Sequence, residues 1–221
     1  MGRNVRLYWT SVWSVFAAGV IAASCLAASV ARADVMNDCY SGEYHRQITG
    51  CTAIIDDITV GAIEKSNAYS TRALAHSMRS LYGDAIKDYD AALILTPNAP
   101  IALNNRAWAY FRWGKAAMGT NDIEQSIRLS PLSGASFDTR AHIRQALGNP
   151  EGAMADYDQA MRYGGQRMIK MYQCGLTQHG LYKGPQDGVP NADLRSALRT
   201  CAMSTTCDPL PADEECRNAT S

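Results

Sequence analysis

The sequence predicts an all-α repeat protein built from helical hairpins, with a disulfide-stapled helical cap at its C-terminal end. Three observations support this prediction: a 34-residue self-similarity, small and apolar residues at helical spacing, and helix breakers at regular intervals. Three sequence features recur at this period. They are the Arg-Ala pairs at 72–73, 106–107 and 140–141, the acidic residues Asp88, Asp122 and Asp156, and the motifs Leu-Thr-Pro at 95–97 and Leu-Ser-Pro at 129–131.

Each 34-residue unit is predicted to fold as two helices. In the first unit, small and aromatic residues fall at helical spacing in both of them. These residues are Tyr69, Ala73 and His76 in the first helix, and Ala85, Tyr89 and Ala92 in the second. Small residues let two helix axes approach closely, and an aromatic ring fills the remaining gap. Pro97 and Pro131 end the first two units, and Gly164-Gly165 ends the third.

This arrangement resembles the tetratricopeptide repeat, whose small-residue, aromatic and terminal-proline pattern is specific. The resemblance covers residues 66–165 and divides them into three full repeats. Their ranges are 66–99, 100–133 and 134–165. The resemblance implies a helical-hairpin solenoid in which the first helix of each unit lines a concave groove, the surface on which this family binds peptides and proteins.

The middle unit departs from the pattern in its second helix, predicted near residues 116–129. Gly119 stands where the family has Ala, and Ser126 replaces another Ala. A Gly in place of Ala inside a helix costs about 0.5–1 kcal/mol. We therefore expect this helix to be the least stable of the solenoid.

Residues 34–65 are predicted to form a partial repeat that caps the N-terminal end of the stack. Gly42-Glu43-Tyr44, followed by apolar residues at helical spacing, has the pattern of a second helix, with Cys51 at its aromatic position. No preceding first helix is expected, because too few residues remain before it in an exported chain. Cys39 is placed to bond Cys51, which contributes about 3 kcal/mol in the chain-entropy treatment.

Residues 1–33 are predicted to be a signal peptide. The segment starts with basic residues, residues 7–31 carry no charge, and Ala31-Arg32-Ala33 supplies the small residues that a signal peptidase requires. Two alternatives remain: an uncleaved membrane anchor formed by residues 7–31, which are long enough to span a bilayer, and lipidation at Cys25. Cleavage before Asp34 implies a periplasmic or secreted protein without membrane contact.

The charge balance argues against nucleic-acid binding. Lys and Arg together number 21, as do Asp and Glu. Removing residues 1–33 takes away three Arg and no acidic residue, which leaves 18 basic against 21 acidic residues and a net charge of −3. Nucleic-acid binding requires a basic face, so no nucleic-acid partner is expected.

The cysteines predict disulfides in an oxidising compartment. Cleavage removes one of the seven and leaves six, which allow 15 pairings. No C-x-x-C motif occurs and the histidines do not lie at zinc-finger spacing, so no metal site is expected. Pairing each cysteine with its nearest plausible partner gives three bridges, with Cys174 and Cys201 on the two helices that flank a glycine-rich loop. The bridges are Cys39–Cys51, Cys174–Cys201 and Cys207–Cys216.

Residues 166–221 are predicted to form a helical C-terminal segment. Within it, Ile169–Cys201 resembles the first half of a peptidoglycan-binding-like module, in which a glycine-punctuated loop separates two helices. The resemblance implies glycan-binding roles for Tyr182, Asp187 and Arg195. The third helix of that family has no counterpart here, and the alternative is that the segment caps the apolar end of the solenoid.

The predicted binding surface lies on the first helices of the second and third units. Trp, Phe and Arg side chains together are typical of a binding hot spot, and Trp108 and Phe111 lie three residues apart on one helix face. The alternative for Trp108 is burial between helices. The predicted partner-binding residues are Asn104, Asn105, Trp108, Phe111, Arg112 and His142.

The sequence contains no catalytic constellation. The acidic residues at 88, 90, 156 and 158 recur at one register, which predicts a solvated helix face rather than an acid–base pair. The four histidines form no ligand motif, and neither G-x-S-x-G nor a phosphate-binding loop occurs. We therefore expect a non-enzymatic scaffold of the bacterial cell envelope, without a cofactor, that binds a protein or peptide. Peptidoglycan binding through residues 166–221 is the alternative.

Overall fold

The computed structural model describes residues 33–210. This part of the chain is helical at residues 33–39 and continues with eight α-helices, without a β-strand. The helices are α1 (Tyr44–Asp56), α2 (Ala62–Met78), α3 (Tyr82–Leu95), α4 (Pro100–Arg112), α5 (Thr120–Leu129), α6 (Gly134–Ala146), α7 (Pro150–Gln178) and α8 (Ala192–Ala202).

Helices α2 to α7 form three hairpins that stack in chain order. Within the hairpins α2 packs against α3, α4 against α5, and α6 against α7, while α3–α4 and α5–α6 contacts join one hairpin to the next. The first helices also touch one another, α2 with α4 and α4 with α6, so they line one side of the stack. The structure therefore confirms the all-α helical-hairpin solenoid that the 34-residue period predicts.

Small residues and bulky side chains alternate between the two helices of each hairpin. The equivalent positions are Ala73, Ala107 and Ala141 in the first helices, and Tyr89, Ile123 and Tyr157 in the second helices, all without exposed surface. The alanines let the helix axes approach, and the larger side chains occupy the space that this approach leaves. The repeated packing follows directly from the repeated sequence.

Buried ion pairs run through the stack in a repeated arrangement that we call the arginine ladder. In each hairpin, an Arg of the first helix binds both oxygens of an Asp 16 residues later in the second helix. These pairs are Arg72–Asp88, Arg106–Asp122 and Arg140–Asp156. Two of the arginines also reach the preceding hairpin, through Arg106–Asp90 at 2.7 Å and Arg140–Glu124 at 2.9 Å.

The ladder corrects the prediction of a solvated acidic face. Asp88, Asp122 and Asp156 are buried, because each carboxylate is compensated by a bidentate guanidinium that satisfies its oxygens. These three carboxylates therefore join the two helices of each hairpin. Asp90 and Glu124, two positions after Asp88 and Asp122, instead join one hairpin to the next.

The second helix of the middle hairpin starts later than predicted. A 3₁₀ turn, Ala116–Gly119, precedes α5, which begins at Thr120. A Cβ atom at Gly119 would lie 2.9 Å from the carbonyl oxygen and 3.0 Å from the Cα atom of Ala107. Gly119 therefore permits a close approach of the turn to α4. The buried Ser126 hydroxyl donates to the carbonyl of Pro100 at 2.9 Å, which replaces apolar packing by a hydrogen bond.

The N-terminal cap contains one more helical segment than predicted. Cys39 and Cys51 form a disulfide, in agreement with the pairing inferred from sequence, and their Cα atoms are 4.5 Å apart. Residues 33–39 are helical, and Val35 and Met36 pack beside this disulfide. The prediction that no helix precedes α1 is therefore wrong. The predicted signal peptide falls almost entirely on residues 1–32, which lie outside the described residues.

Helix α7 bends at Gly165 and leads into the C-terminal cap, which we define as residues 166–210. Gly165 has φ +63° and ψ −154°, a conformation that favours glycine. After the bend, Tyr172 and Leu176 share one apolar cluster with Tyr157 of the third hairpin and Leu194 of α8. The cap thus covers the end of the solenoid. Within residues 33–210, no helix is both long enough and apolar enough to cross a membrane.

Candidate binding groove

The groove lies on the side of the stack formed by α2, α4 and α6. Five of the six predicted partner-binding residues belong to α4. The structure separates them into two regions along this helix. Asn104 and Asn105 border a small cavity, whereas Trp108, Phe111 and Arg112 lie nearer the C-terminal end of α4, beside α6.

The first region is a cavity of about 190 Å³, which we call the serine pocket. It is lined by Pro100, Ile101, Asn104, Asn105, Ser126, Ser130, Ser133, Ala135 and Ser136. Nδ2 of Asn104 donates to Oδ1 of Asn105 at 3.0 Å. Oδ1 of Asn104 is buried and accepts no hydrogen bond within the described part of the chain. The pocket is therefore lined by hydroxyl and amide side chains together with apolar ones.

The second region is an aromatic cluster of Trp108, Phe111, His142 and Tyr157. The ring of Trp108 lies 5.1 Å from those of both Phe111 and His142, and His142 meets Tyr157 edge-on at 5.5 Å. Trp108 is half-buried and packs across the groove rather than inside a hairpin. The Arg112 guanidinium lies 5.7 Å from the Trp108 ring, a cation–π distance.

His142 is buried, which corrects its prediction as an exposed partner-binding residue. Only 2% of it is exposed. Nδ1 donates to the carbonyl oxygen of Asp138 at 2.8 Å, and Nε2 lies 3.1 Å from Oδ1 of Asp208. The family resemblance predicted His142 on the groove side of α6, but it could not reveal that residues distant in sequence cover the ring.

The charge of His142 is set by two carboxylates. Burial by itself lowers the pKa of His142, but the negative charges of Asp138 and Asp208 and the hydrogen bond that Nε2 donates to Asp208 raise that pKa to about 9. Burial tends to raise the pKa of Asp208, whereas the hydrogen bond and charge of His142 lower it below its usual value. The pair is therefore an imidazolium and a carboxylate at neutral pH.

Asp208 belongs to a loop that the sequence analysis did not assign to the groove. This segment, loop 203–210, follows α8 and reaches the aromatic cluster. Oδ2 of Asp208 lies 3.8 Å from a guanidinium nitrogen of Arg112, and its backbone carbonyl contacts Nε2 of His179 at 2.9 Å. The short Asp-Pro motif carried no periodic signal, so only the three-dimensional arrangement identifies Asp208.

Gln145 of α6 fixes the start of this loop. Its Nε2 lies within 3.2 Å of the carbonyl oxygens of Cys201, Ser204 and Cys207. Its Oε1 accepts a hydrogen bond from the Tyr157 hydroxyl at 2.7 Å. One buried amide therefore joins the third hairpin to the loop.

A disulfide between Cys201 and Cys207 closes the same loop. The predicted pairs Cys174–Cys201 and Cys207–Cys216 are therefore wrong. Placing Cys174 and Cys201 on the two helices that flank the glycine-punctuated loop left Cys216 as the partner of Cys207. The turn after α8 instead returns Cys207 to Cys201, with Cα atoms 5.2 Å apart. Cys174 is disulfide-bonded as well, and Cys216 lies outside the described residues.

The three residues proposed for glycan binding form contacts within the C-terminal cap. Tyr182 is buried, which contradicts an exposed role, and its hydroxyl donates to the Pro185 carbonyl at 3.1 Å. Asp187 accepts hydrogen bonds from Gln173 and the Val189 amide. Arg195 pairs with Asp158 of the third hairpin. These contacts stabilise a turn and attach α8 to the solenoid.

The groove has the chemistry of a binding surface. Both ring nitrogens of His142 are engaged, so the ring is not available as a general base. Across residues 33–210, no group of three His, Cys, Asp or Glu side chains could hold a metal ion. Cationic, aromatic and amide groups that are already held in place are suited to recognising a peptide.

Comparisons with known proteins agree with this architecture. No protein-family model matches the chain. Small glutamine-rich tetratricopeptide repeat-containing protein 2 of Mycosarcoma maydis is 29% identical over 80 residues, which are 36% of this chain and 23% of that protein. RNA polymerase II-associated protein 3 of Xenopus laevis is 26% identical over 132 residues, which are 60% of this chain and 20% of that protein.

A third relative is the tetratricopeptide repeat and J domain-containing co-chaperone DNJ1 of Fusarium oxysporum. It is 30% identical over 87 residues, which are 39% of this chain and 17% of that protein. The chain therefore spans less than a quarter of the length of these relatives. Together with the stacked hairpins, the similarity shows that the fold is a tetratricopeptide-repeat solenoid.

Proposed function

We propose that the protein is a non-enzymatic scaffold of the bacterial cell envelope that binds an extended segment of a protein partner in its groove. The segment crosses the serine pocket and lies along α4. The fold supports this proposal, because stacked helical repeats create extended concave binding surfaces. No cofactor takes part, and the acidic net charge expected of the exported chain disfavours nucleic acid as the partner.

The observation that carries the proposal is the serine pocket itself, where Asn104, Ser130 and Ser133 line a cavity beside Ile101 on the groove side of the stack. The hydroxyls of Ser130 and Ser133 can donate hydrogen bonds to the backbone of an extended peptide and accept them from it. Ile101 presents a 74% exposed side chain at the same pocket for an apolar contact.

The disulfides support a location outside the cytoplasm. Cys39–Cys51 and Cys201–Cys207 are formed, and Cys174 is also disulfide-bonded. Such bonds persist in oxidising compartments and are rare in the cytosol. The signal peptide predicted at residues 1–33 supports the same location.

Site-specific photo-crosslinking tests the proposal. A photoreactive amino acid at Ile101 should capture one partner in cells, because this side chain borders the serine pocket. The matched control is Ile94 of α3, which is 79% exposed and not part of that pocket. Asn104→Ala should weaken capture at Ile101. Equal capture from both positions, or none from Ile101, would contradict a binding groove.

The alternative, peptidoglycan binding through the C-terminal cap, is tested separately by sedimentation with purified sacculi. The internal contacts of Tyr182, Asp187 and Arg195 favour a capping role for this segment. We therefore expect the protein to remain in the supernatant. Co-sedimentation that is lost in Asp187→Ala would support the peptidoglycan alternative instead.

A further inference from the structure

We propose that loop 203–210 is an intramolecular competitor for the groove, in which Asp208 fills a carboxylate site formed by His142 and Arg112. The inference rests on the proposed function and specifies the chemistry of the partner. The partner segment carries an Asp or Glu side chain in extended backbone. That side chain takes the place of Asp208 when the loop withdraws.

The site provides two cationic groups that converge on one carboxylate. Nε2 of His142 lies 3.1 Å from Oδ1 of Asp208, and the Arg112 guanidinium lies 3.8 Å from Oδ2. Trp108 lies beneath this guanidinium and limits its orientation. A buried charge without a partner is strongly destabilising. A carboxylate at this position therefore compensates both cations, whether it comes from the loop or from another protein.

The site is held together without the loop. On the side of His142 opposite Asp208, the ring donates to the Asp138 carbonyl, and the Tyr172 hydroxyl donates to the Asp138 carboxylate at 2.6 Å. The remaining neighbours are the rings of Trp108, Phe111 and Tyr157. All of these groups belong to α4, α6 and α7, so removal of Asp208 leaves the cationic site in place.

The loop has the properties of a tethered ligand. Met203 is 75% exposed, Thr205 and Thr206 are exposed, and the Asp208 side chain is 37% exposed. Pro209 is buried and Leu210 packs against the apolar cluster, so withdrawal of the loop breaks these contacts and the hydrogen bonds from Gln145. The Cys201–Cys207 bridge attaches the loop to the end of α8. A ligand tethered next to its site competes at an effective concentration in the millimolar range. An external acidic segment must overcome this competition.

Binding of a defined peptide to the purified mature chain tests the inference. The probe is a fluorescent Thr-Ser-Asp-Pro-Leu peptide, which copies residues 206–210 with Ser in place of Cys207, and its control carries Asn in place of Asp. In the variant Cys201→Ser/Cys207→Ser/Asp208→Ala, the disulfide no longer constrains the loop and the carboxylate site is vacant. Fluorescence anisotropy should show that the Asp peptide binds this variant at least about tenfold more tightly than it binds the wild type.

Two further results are expected. The Asn peptide should not show the gain, and adding Arg112→Ala to the triple variant should remove most of it. Equal affinity of wild type and triple variant for the Asp peptide, or equal binding of the Asp and Asn peptides to the variant, would overturn the inference. Circular dichroism establishes that each variant is folded before binding is compared.

Hydrogen exchange on the wild type covers the case in which the triple variant does not fold. At about 10 mM peptide, the amides of loop 203–210 should exchange faster with the Asp peptide than with the Asn peptide, and unchanged exchange overturns the inference. Failure of the proposed function is distinguishable, because crosslinking at Ile101 reports on the serine pocket. If crosslinking at Ile101 is retained while the triple variant binds the Asp and Asn peptides equally, the competitor role of the loop is rejected and the proposed binding groove is not.

Discussion

At the scale of single residues, Asp156 is the carboxylate that compensates the charges of two arginines. Its side chain is 2% exposed and contacts both Arg140 and Arg144 at 2.8 Å. Asp156→Ala leaves these guanidinium groups without their main partner in a poorly solvated position. We expect the free energy of unfolding to fall by about 3–5 kcal/mol, measured by urea denaturation.

The matched control for that substitution is Asp84→Ala. Asp84 also pairs with a cation, Lys87, but both side chains are more than half exposed. Surface ion pairs contribute little because water and salt screen them, so the urea midpoint should remain nearly unchanged. Equal losses for the two substitutions would show that burial does not determine the strength of the arginine ladder.

His142 should make stability depend on pH in a defined window. Folding raises its pKa from the ordinary value of 6.5 to about 9, because Asp138 and Asp208 outweigh the effect of burial. The resulting contribution to stability is fully present below pH 6.5 and is lost as pH rises through about 9. Urea denaturation across this window should therefore show a falling free energy of unfolding.

His142→Gln removes the ionisable group and should flatten the slope in this window. The second histidine with an altered pKa is His76, whose pKa is lowered mainly by burial, so its titration falls below the window. Asp208→Asn should reduce the slope without removing it, because Asp138 remains. A slope that persists unchanged in His142→Gln would assign the pH dependence to another group.

At the scale of secondary-structure elements, the packing of the 3₁₀ turn before α5 predicts that Gly119→Ala destabilises the protein. Helix propensity predicts the opposite effect. Propensity alone favours Gly119→Ala, but the new Cβ atom would lie 2.9 Å from the Ala107 carbonyl oxygen. We expect a loss of about 1–3 kcal/mol by thermal or urea unfolding. Gly83→Ala in α3 is the control, since its Cβ would lie 3.8 Å from Trp113 and should be tolerated.

The elements themselves were predictable from the sequence because their determinants are local. Ala73, Tyr89 and their equivalents recur at a fixed period, and each contacts the neighbouring helix in the same way. The groove side of α4 was predicted from the resemblance to the tetratricopeptide repeat, in which the first helix of each unit lines the concave face. Burial of the acidic residues in the ladder was not predictable in this way, because periodicity does not show which Arg faces which Asp.

The position of loop 203–210 against the groove could not be predicted from the sequence for a different reason. Asp208 is 66 residues from His142, and no repeated pattern links loop 203–210 to α6. The disulfide connectivity had 15 alternatives, and assigning Cys201 to Cys174 across the glycine-punctuated loop excluded the pair Cys201–Cys207. Without the Cys201–Cys207 pair, the sequence did not indicate that the loop after α8 turns back toward the groove.

At the scale of the whole molecule, the remaining disulfide can be predicted by elimination. Cys174 is disulfide-bonded, and the other four described cysteines already form two pairs. Its partner is therefore Cys216 or Cys25. We expect Cys174–Cys216 in a mature protein that starts at Asp34. Peptide mapping under non-reducing conditions checks this pairing, and a Cys25–Cys174 peptide would show that the signal segment is retained.

The arginine ladder also has a consequence for how this architecture changes in length. Arg195 of α8 binds Asp158, just as Arg106 binds Asp90 and Arg140 binds Glu124. The cap thus presents to the last hairpin the same cation that a following hairpin would present. The two junctions between hairpins and the junction with the C-terminal cap therefore use interchangeable chemistry. Duplication or loss of a 34-residue unit leaves both new neighbours compatible, so the receptor surface can be lengthened or shortened without altering its ends.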